Sequence, residues 1–454
     1  MALAAADLRT IEQEAVRHLQ ALVRFDTTNP PGAERPAAEY VAEAGRAAGL
    51  EAQVIDSATG RGNVVLRLRG RGGGAPILLL SHLDVVPAEP AKWTHPPFAA
   101  EIAAGCVWGR GSVDSKLTTT TQLAALLALA RSGARPERDV ILAATASEET
   151  GGLANGAGYL ADHHPELIRA EYTLNEGGGF AVEVGGRSYY VVQTAEKGGC
   201  PADLVARGTP GHASVPHGDN PIHKLARAMA RLAERQMPIH LTPSTRAFVE
   251  GIAADQEAAG APDVARLVRA LLDAKAQPDA LRRLPCDDGL RLMIDAMMRN
   301  TAALTILEAG TKRNVIPSEA RAQTSGRPLP GQTREGFLGE LRAIVGDDVE
   351  VVADGFSEGM ESELDERFGA AALAALRRHD SNARLVPYMM TGGTDAKRLK
   401  GVGGKVYGFV PMVFEPGTDY MSLCHSHDER ISIKSIEFGV RVTYDLLRDL
   451  AGAG

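Results

Sequence analysis

The sequence predicts an α/β protein in which a mixed, mostly parallel sheet lies between helices and is interrupted by a smaller inserted α+β domain. Apolar runs with strand character alternate with amphipathic helices up to about residue 190. The pattern then changes, and the alternation resumes near residue 355. Since such alternation is typical of a parallel sheet covered by helices, we expect one domain over residues 1–192 and 355–454 and an inserted domain over 193–354.

Each element is predicted from its own pattern of apolar residues. Residues 8–24 form a helix because Ile11, Ala15, Leu19 and Val23 share one face at helical spacing. The outer domain should also hold helices at 36–48, 116–131, 153–162, 365–378 and 434–450, and strands at 53–56, 63–68, 76–81, 139–145, 171–175, 384–386 and 405–409. Around and within the insert we expect strands at 189–194, 201–206, 314–317 and 350–352, helices at 221–235, 262–274 and 333–345, and a less regular stretch at 240–310.

Composition and charge exclude several classes of protein. Apolar residues make up 44% of the 454 residues, enough for a sizeable core. The formal net charge of -8, with no long basic run, argues against a nucleic-acid-binding surface. The four cysteines are scattered without a CxxC pair, which favours a reducing cytosol. Asp7 follows the apolar start and no basic segment precedes it, so we expect a cytoplasmic protein without a signal peptide; no apolar run is long enough to span a membrane.

Acidic residues and histidines gather at the carboxyl ends of predicted strands. Ligands of open α/β sheets bind at that edge. Two histidines, several carboxylates and one spare glutamate suit a two-metal hydrolytic centre. The residues concerned are His82, Asp84, Asp114, Glu148, Glu149, Glu176 and His425.

Taken singly, each of these residues has an ordinary explanation. A histidine beside an aspartate is a common surface pair, adjacent acids are favoured at a helix N-terminus, and an acid before a helix often caps it. These explanations fit, in turn, His82 with Asp84, Glu148 with Glu149, and Asp114, while Glu176 and His425 fit polar loops. Their joint occurrence after three strands at one end of a sheet favours the metal centre.

His212 lies in the insert, among the small residues of the segment GTPGHAS at 208–214. The segment is equally consistent with a turn and with an arm that reaches the active site of a second subunit. Other catalytic motifs are missing, since the sequence has no HExxH, no GxxxxGK[ST] and no GxSxG around a candidate serine.

Five segments together resemble the family of co-catalytic zinc amidohydrolases, which includes aminoacylase, acetylornithine deacetylase, succinyl-diaminopimelate desuccinylase and carboxypeptidase S. They are SHLDVVP at 81–87, GRGSVDSK at 109–116, SEETGG at 147–152, GHASVP at 211–216 and TGGTD at 391–395. The resemblance runs in order from about residue 20 to 445. The segments NEGG at 175–178 and YGFVP at 407–411, with roughly 100 residues between His212 and Asn314, are most similar to the carboxypeptidase S branch.

The resemblance implies a zinc-peptidase-like domain with two zinc ions, for which cobalt or manganese could substitute. One ion is assigned to His82 and Glu176, the other to Glu149 and His425, and Asp114 bridges the two. The family pattern of a histidine four residues before a glutamate selects His425 over its neighbour at 427.

The resemblance also implies residues that act on the substrate. Asp84 would orient His82, and Glu148 would be the general base that moves a proton from water to the leaving amine. His212 would come from the insert of a partner subunit and stabilise the oxyanion, so we expect an inserted lid that also forms a homodimer.

A third set of residues resembles the groups that hold the free carboxylate of a substrate, namely Asn314, Arg327 and the Gly392-Gly393 turn. Two positions depart from the family, because Ser325 and Ser147 stand where an aspartate is common. The expected function is zinc-dependent hydrolysis of the amide bond in N-acyl amino acids or small peptides with a free carboxylate.

Three alternatives remain at this point. The enzyme could be a carboxypeptidase or dipeptidase rather than a deacylase, and a metal-binding pseudoenzyme could share the fold. A two-metal phosphoesterase is disfavoured because the sequence offers no basic phosphate cradle. We expect a small-molecule substrate and neither a nucleic-acid nor a membrane partner.

Overall fold

The structure is a computed structural model that describes residues 5–150, 152–414, 418 and 420–453. The first four residues of the apolar start therefore lie outside the described part. The chain forms two compact units. The first runs to Thr194 and includes Ser362–Tyr388 and the chain from Thr394 onward, and the second comprises Ala195–Glu361 and Met389–Gly393. Among the helices that the structure describes, none combines the length and the apolar character needed to cross a bilayer.

The described helices and strands have the following bounds. The helices are α1 Ala5–Arg24, α2 Arg35–Ala47, α3 Lys116–Arg131, α4 Gly156–His163, α5 Pro165–Ile168, α6 Pro221–Glu234, α7 Pro243–Ala258, α8 Pro262–Ala270, α9 Gln277–Arg283, α10 Asp288–Met297, α11 Arg334–Val345, α12 Glu366–Arg377, α13 Tyr420–Leu423 and α14 Ile433–Ala451. The strands are β1 Glu51–Ala58, β2 Arg61–Leu68, β3 Ile77–His82, β4 Ile102–Ala103, β5 Cys106–Trp108, β6 Val140–Thr145, β7 Tyr172–Asn175, β8 Ala181–Val184, β9 Arg187–Glu196, β10 Ala202–Arg207, β11 Gly211–His212, β12 Thr301–Ala309, β13 Val315–Ile316, β14 Glu319–Arg327, β15 Glu350–Ala353, β16 Met360–Glu361, β17 Leu385–Met390, β18 Lys405–Gly408 and β19 Arg430–Ser432.

A mixed sheet organises the first unit. Its strands lie in the order β1-β2-β6-β3-β7-β18-β9. The centre is parallel, since β3 pairs in parallel with β6 and β7, and β7 with β18. Every residue of β3 and β6 is buried, as parallel strands covered on both faces require. The predicted mixed sheet between helices is confirmed, and antiparallel strands flank its parallel centre.

An antiparallel sheet with strand order β12-β14-β10-β15 forms the second unit's core together with helices α6 and α11. Leu204, Leu225, Phe337, Leu341 and Val351 belong to one buried cluster there. Strand and helix residues thus cover each other's apolar faces, which is the usual way for an α+β unit to build its core.

The prediction of a less regular stretch at 240–310 is wrong. Helices α7 to α10 and strand β12 fill it, and the helix predicted at 262–274 ends at Ala270. Thr242 and Asp287 cap α7 and α10 through their side chains, a local signal that the sequence did contain. Strand β14 was also missed because its buried positions carry small residues such as Ala320 and Ala322, which give weak apolar alternation.

Candidate active site

Three of the predicted metal-binding segments lie at the carboxyl ends of neighbouring parallel strands. His82 is the last residue of β3, Glu149 follows β6, and Glu176 follows β7 directly. The strand register brings these ends to one edge, since His82 lies opposite Thr145. Ligands of α/β sheets bind at this edge because the loops there can converge on one point.

Two groups of ligand atoms form at this edge, and Asp114 belongs to both. His82, Asp114 and Glu176 offer atoms within 4.8 Å of one another, and so do Asp114, Glu149 and His425. His82 Nε2 lies 3.2 Å from Asp114 Oδ1 and 3.2 Å from Glu176 Oε2. His425 Nε2 lies 3.2 Å from Asp114 Oδ2 and 3.2 Å from Glu149 Oε1. One carboxylate thus presents one oxygen to each group.

The charges of these groups suit two divalent cations. Burial lowers the pKa of His82, but the negative charge of Glu176 and a hydrogen bond to Asp114 outweigh it and raise this pKa well above its ordinary value. Hydrogen bonds to Asp114 and Glu149 raise the pKa of His425 to about 10. The carboxylates therefore create an excess of negative charge that favours the binding of cations. Imidazole nitrogen and carboxylate oxygen together are a donor set that suits zinc.

Asp84 connects a metal-ligand candidate with the loop that follows β6. It is fully buried, and its Oδ1 lies 3.4 Å from His82 Nδ1. The backbone N–H groups of Glu148 and Glu149 donate to its two carboxylate oxygens at 3.0 and 3.1 Å, and Asn29 Nδ2 donates to Oδ2 at 2.7 Å. Although burial opposes it, these hydrogen bonds and the one from His82 lower the pKa of Asp84, so its charge is held in place.

The Glu148 carboxylate differs from its neighbours in its contacts. Within the part of the chain that the structure describes, no ion pair or side-chain hydrogen bond holds it. Burial raises the pKa of Glu148 well above its ordinary value, and the negative charges of Glu176 and Asp395 add to the rise although His82 opposes it. A half-buried, unpaired carboxylate with raised proton affinity is what a general base needs.

Glu429 is a buried acid whose contacts with the Asp114 loop the sequence did not reveal. Its carboxylate is fully buried and accepts the backbone N–H groups of Gly111, Val113 and Asp114 at 3.0, 2.7 and 3.0 Å. Arg110 Nη1 donates to it at 2.8 Å. Glu429 therefore fixes the loop that carries the shared ligand. Its spacing from His425 was visible in the sequence, but its burial beside Arg110 was not.

His212 and Asn314 come together in the second unit. Strand β11, which ends at His212, pairs with β13, and the Ala213 N–H donates to the carbonyl oxygen of Asn314 at 3.1 Å. The His212 side chain is exposed, and its Nδ1 lies 2.7 Å from Ser214 Oγ. Val215, next along the same segment, is 70% exposed.

Arg327 lies away from these two residues. Arg327 is the last residue of β14 and lies opposite Thr301 of β12. Asn314, by contrast, comes before Glu319, the first residue of β14. Strand β14 has nine residues, so at roughly 3.3 Å per residue its ends are about 26 Å apart. Among the described residues no carboxylate pairs with Arg327. The length of β14 thus separates Arg327 from Asn314 within one chain, and both belong, with Gly392 and Gly393, to the second unit.

Two candidate ligand groups that share a carboxylate, beside a glutamate that pairs with no described residue, are the parts expected of a two-metal hydrolase. The chain belongs to peptidase family M20/M25/M40, whose profile matches residues 78–449. The family resemblance and the enzyme class that the sequence predicted are confirmed, and the chain is a metal-dependent amidohydrolase.

Individual relatives agree with this assignment. The chain is 30% identical over 384 residues to the N-fatty-acyl-amino acid synthase/hydrolase PM20D1 of Xenopus tropicalis, covering 82% of this chain and 72% of that protein. It is 28% identical over 387 residues to the probable carboxypeptidase S-like 2 of Dictyostelium discoideum, covering 82% and 71%. In fold it is similar to the M20 family metallo-carboxypeptidase Sso-CP2 from Sulfolobus solfataricus, with a TM-score of 0.71, 18% identity, and coverage of 96% of this chain and 99% of that one.

Proposed function

We propose that this enzyme is a zinc-dependent hydrolase that cleaves the amide bond of N-acyl amino acids or small peptides with a free carboxylate. The observation that carries the proposal is the carboxylate of Glu148, which pairs with no residue that the structure describes and lies in the loop after β6, next to a residue of one ligand group. The names of the relatives support the substrate class, because they describe an N-fatty-acyl-amino acid synthase/hydrolase and a carboxypeptidase S-like protein.

The chain's own groups account for the proton transfers. His82, Asp114, Glu149, Glu176 and His425 would hold two zinc ions, which would supply a lowered pKa for bound water and polarisation of a carbonyl group. Glu148 accepts the proton of the attacking water and delivers it to the leaving nitrogen. Asp84 holds the Glu148 backbone through a hydrogen bond, so the base stays at a fixed place during both transfers.

Arg327 supplies the charge for the substrate carboxylate. An arginine with no carboxylate partner in the described chain can bind a substrate carboxylate with two parallel hydrogen bonds. The Gly392-Gly393 turn belongs to the same unit and is our candidate for the backbone contacts. Ser325 carries no charge that would compete for this arginine.

We further propose that the active enzyme is a homodimer. His212 and Asn314 lie beside each other and about 26 Å of strand from Arg327, so one chain cannot present all three to one small substrate. A partner subunit that inserts the exposed 212–216 segment would supply His212 as the oxyanion donor, together with Asn314.

The test is a substrate panel with metal-loaded enzyme. The panel contains N-acetyl amino acids, long-chain N-acyl amino acids and dipeptides, each beside its carboxamide, and chelated enzyme is the control. We expect chelator-sensitive cleavage and a strong preference for the free carboxylate. The best substrate then separates deacylase from carboxypeptidase. Absence of turnover with two metals bound would overturn the proposal and favour a metal-binding protein on the same fold.

A further inference from the structure

The motif TGGTD at 391–395 ends in a buried aspartate to which the proposed reaction gives no role. Asp395 is only 4% exposed and begins a short 3-10 helix that ends at Leu399. A buried carboxylate is costly unless hydrogen bonds satisfy it. Its partners therefore indicate what it holds.

The Asp395 carboxylate holds the loop that carries the general base. Asn155 Nδ2 donates to Asp395 Oδ1 at 2.6 Å, and the same amide group donates to the carbonyl oxygen of Ser147 at 3.1 Å. Ser147 adopts a left-handed φ of 64° and directly precedes Glu148. One side chain, that of Asn155, thus links Asp395 to the backbone from which the Glu148 side chain departs.

A second contact ties Asp395 to the sheet edge. Asp395 Oδ2 lies 3.2 Å from Thr145 Oγ1, which lies 3.1 Å from the carbonyl oxygen of Ser81. A hydroxyl has a single hydrogen to donate. The Thr145 hydroxyl therefore shares its one hydrogen between Asp395 Oδ2 and the carbonyl oxygen of Ser81, the residue before His82.

The preceding residue makes a parallel contact on the next strand. Asn175 Nδ2 donates to Thr394 Oγ1 at 2.8 Å, and Asn175 directly precedes Glu176. Two consecutive residues therefore bind the ends of β6 and β7, at the points where the loops with the base and with a metal-ligand candidate begin.

We propose that Asp395 is a positioning residue that acts through Asn155 and Thr145 to fix the turn at 146–149, so that the Glu148 carboxylate is held at its working position. This inference rests on the proposed function, because it assigns the positioning to the base of that reaction. A displacement of about 1 Å at a reacting group can lower a rate by about a hundredfold. The geometry of this turn is therefore sufficient to affect catalysis without any contact with the substrate.

The test compares metal-loaded Asp395→Ala, Asp395→Asn and Asn155→Ala variants with wild type on the best substrate of the panel. The alanine variants should lower kcat at least about tenfold, with KM and bound metal within about twofold of wild type. Asp395→Asn should restore most of kcat, because an amide can accept from Asn155 and donate to Thr145. The double variant Asp395→Ala/Asn155→Ala should have a kcat no lower than that of the slower single variant, because the two substitutions break the same connection.

A matched control shows what a purely structural aspartate does. Asp365 caps α12 by accepting the Phe368 N–H at 3.0 Å, and it accepts the Tyr172 hydroxyl at 2.8 Å at the opposite end of β7. Asp365→Ala should lower Tm and leave kcat unchanged. If Asp395→Ala does not fold, Thr145→Val and Asn155→Ala should each show the kcat loss instead.

Three results would overturn the inference while wild type is active. They are an unchanged kcat in a folded alanine variant, an asparagine variant as slow as alanine, and an effect on KM alone. Wild type that is inactive across the panel would instead overturn the proposed function, so the two failures are distinguishable.

Discussion

The carboxylate of Asp84 accepts the backbone N–H of Glu148 at 3.0 Å. The same side chain accepts the N–H of Glu149 and lies 3.4 Å from His82 Nδ1. One buried aspartate therefore sets the orientation of a metal-ligand candidate and the position of the candidate base together. Groups that support metal ligands in this way are important for affinity and activity.

Asp84→Asn should weaken metal binding and activity together by about 10- to 100-fold, because an amide cannot accept both backbone N–H groups. Metal content after dialysis against graded chelator, with kcat of the reloaded protein, would measure both effects. Asp139→Asn is the control, since that carboxylate accepts the Gly70 N–H at 2.8 Å near the start of β6. Equal chelator resistance of the two variants would contradict the expectation.

Glu148→Ala should retain metal near the wild-type level but lower kcat at least about a hundredfold, the low end for general acid–base catalysis. Glu149→Ala, one residue further on, should lose metal because it removes a member of a ligand group. Metal analysis and steady-state kinetics on both variants separate the two roles. Retained activity in Glu148→Ala would remove it as the base.

Glu429→Ala should destabilise the first unit by about 3–5 kcal/mol, because it leaves Arg110 as an uncompensated buried charge. Urea unfolding would measure the loss. The exposed pair of Arg69 and Glu51 provides the matched control, and Glu51→Ala should cost less than about 1 kcal/mol. Similar midpoints for the two variants would show that the buried pair does not stabilise this loop.

Lys197 should make the stability of the second unit depend on pH. Its Nζ is buried and donates to the Arg299 carbonyl oxygen at 2.7 Å, and burial with the nearby charge of Arg327 lowers its pKa to about 7. In the unfolded chain the Lys197 side chain has its ordinary pKa near 10, so between about pH 7 and 10 the unfolded chain holds one proton more than the folded chain. The free energy of unfolding therefore rises with pH by up to about 1.4 kcal/mol per pH unit.

Lys197→Met removes this titration. The difference in unfolding free energy between wild type and Lys197→Met should therefore shift in favour of wild type as the pH is raised through this window. Denaturant unfolding of both proteins at several pH values checks the prediction. Parallel curves would show that Lys197 titrates alike in the folded and unfolded chain.

Mixed dimers test whether a partner subunit supplies His212. Inactive His212→Ala and Glu148→Ala proteins, allowed to exchange subunits, should regain about a quarter of wild-type activity, because half of the dimers are mixed and each mixed dimer has one intact site. Mixing His212→Ala with Asn314→Ala should regain nothing if both residues come from the same partner. Sedimentation that shows a fully active monomer would exclude the dimer.

The sequence predicted much of the fold and the residues that gather at its edge. Apolar runs such as 77–80 read as buried strands, and parallel strands bring the residues that follow them to one edge. The sequence alone therefore predicted that His82 and Glu176 lie near each other. The family motifs, together with the spacing of Glu149 and His425 from their neighbours, were sufficient to predict the second group of candidate metal ligands.

Other features depended on contacts between distant parts of the chain. Nothing local indicates that Glu429 is buried against Arg110, about 320 residues away in sequence, or that Asp395 reaches Asn155. Of the helices between 243 and 297, α8 was predicted, whereas α7, α9 and α10 were missed.

The sequence by itself determined the family, the strands after which the acids and histidines follow, and the candidate ligands, because these depend on residue type and spacing. Only the tertiary structure decided which of the described carboxylates are paired, and that Arg327 lies at the end of β14 that is far from Asn314. The physical reason is that burial, hydrogen bonding and pKa are set by neighbours in space, and spacing along the chain does not specify them.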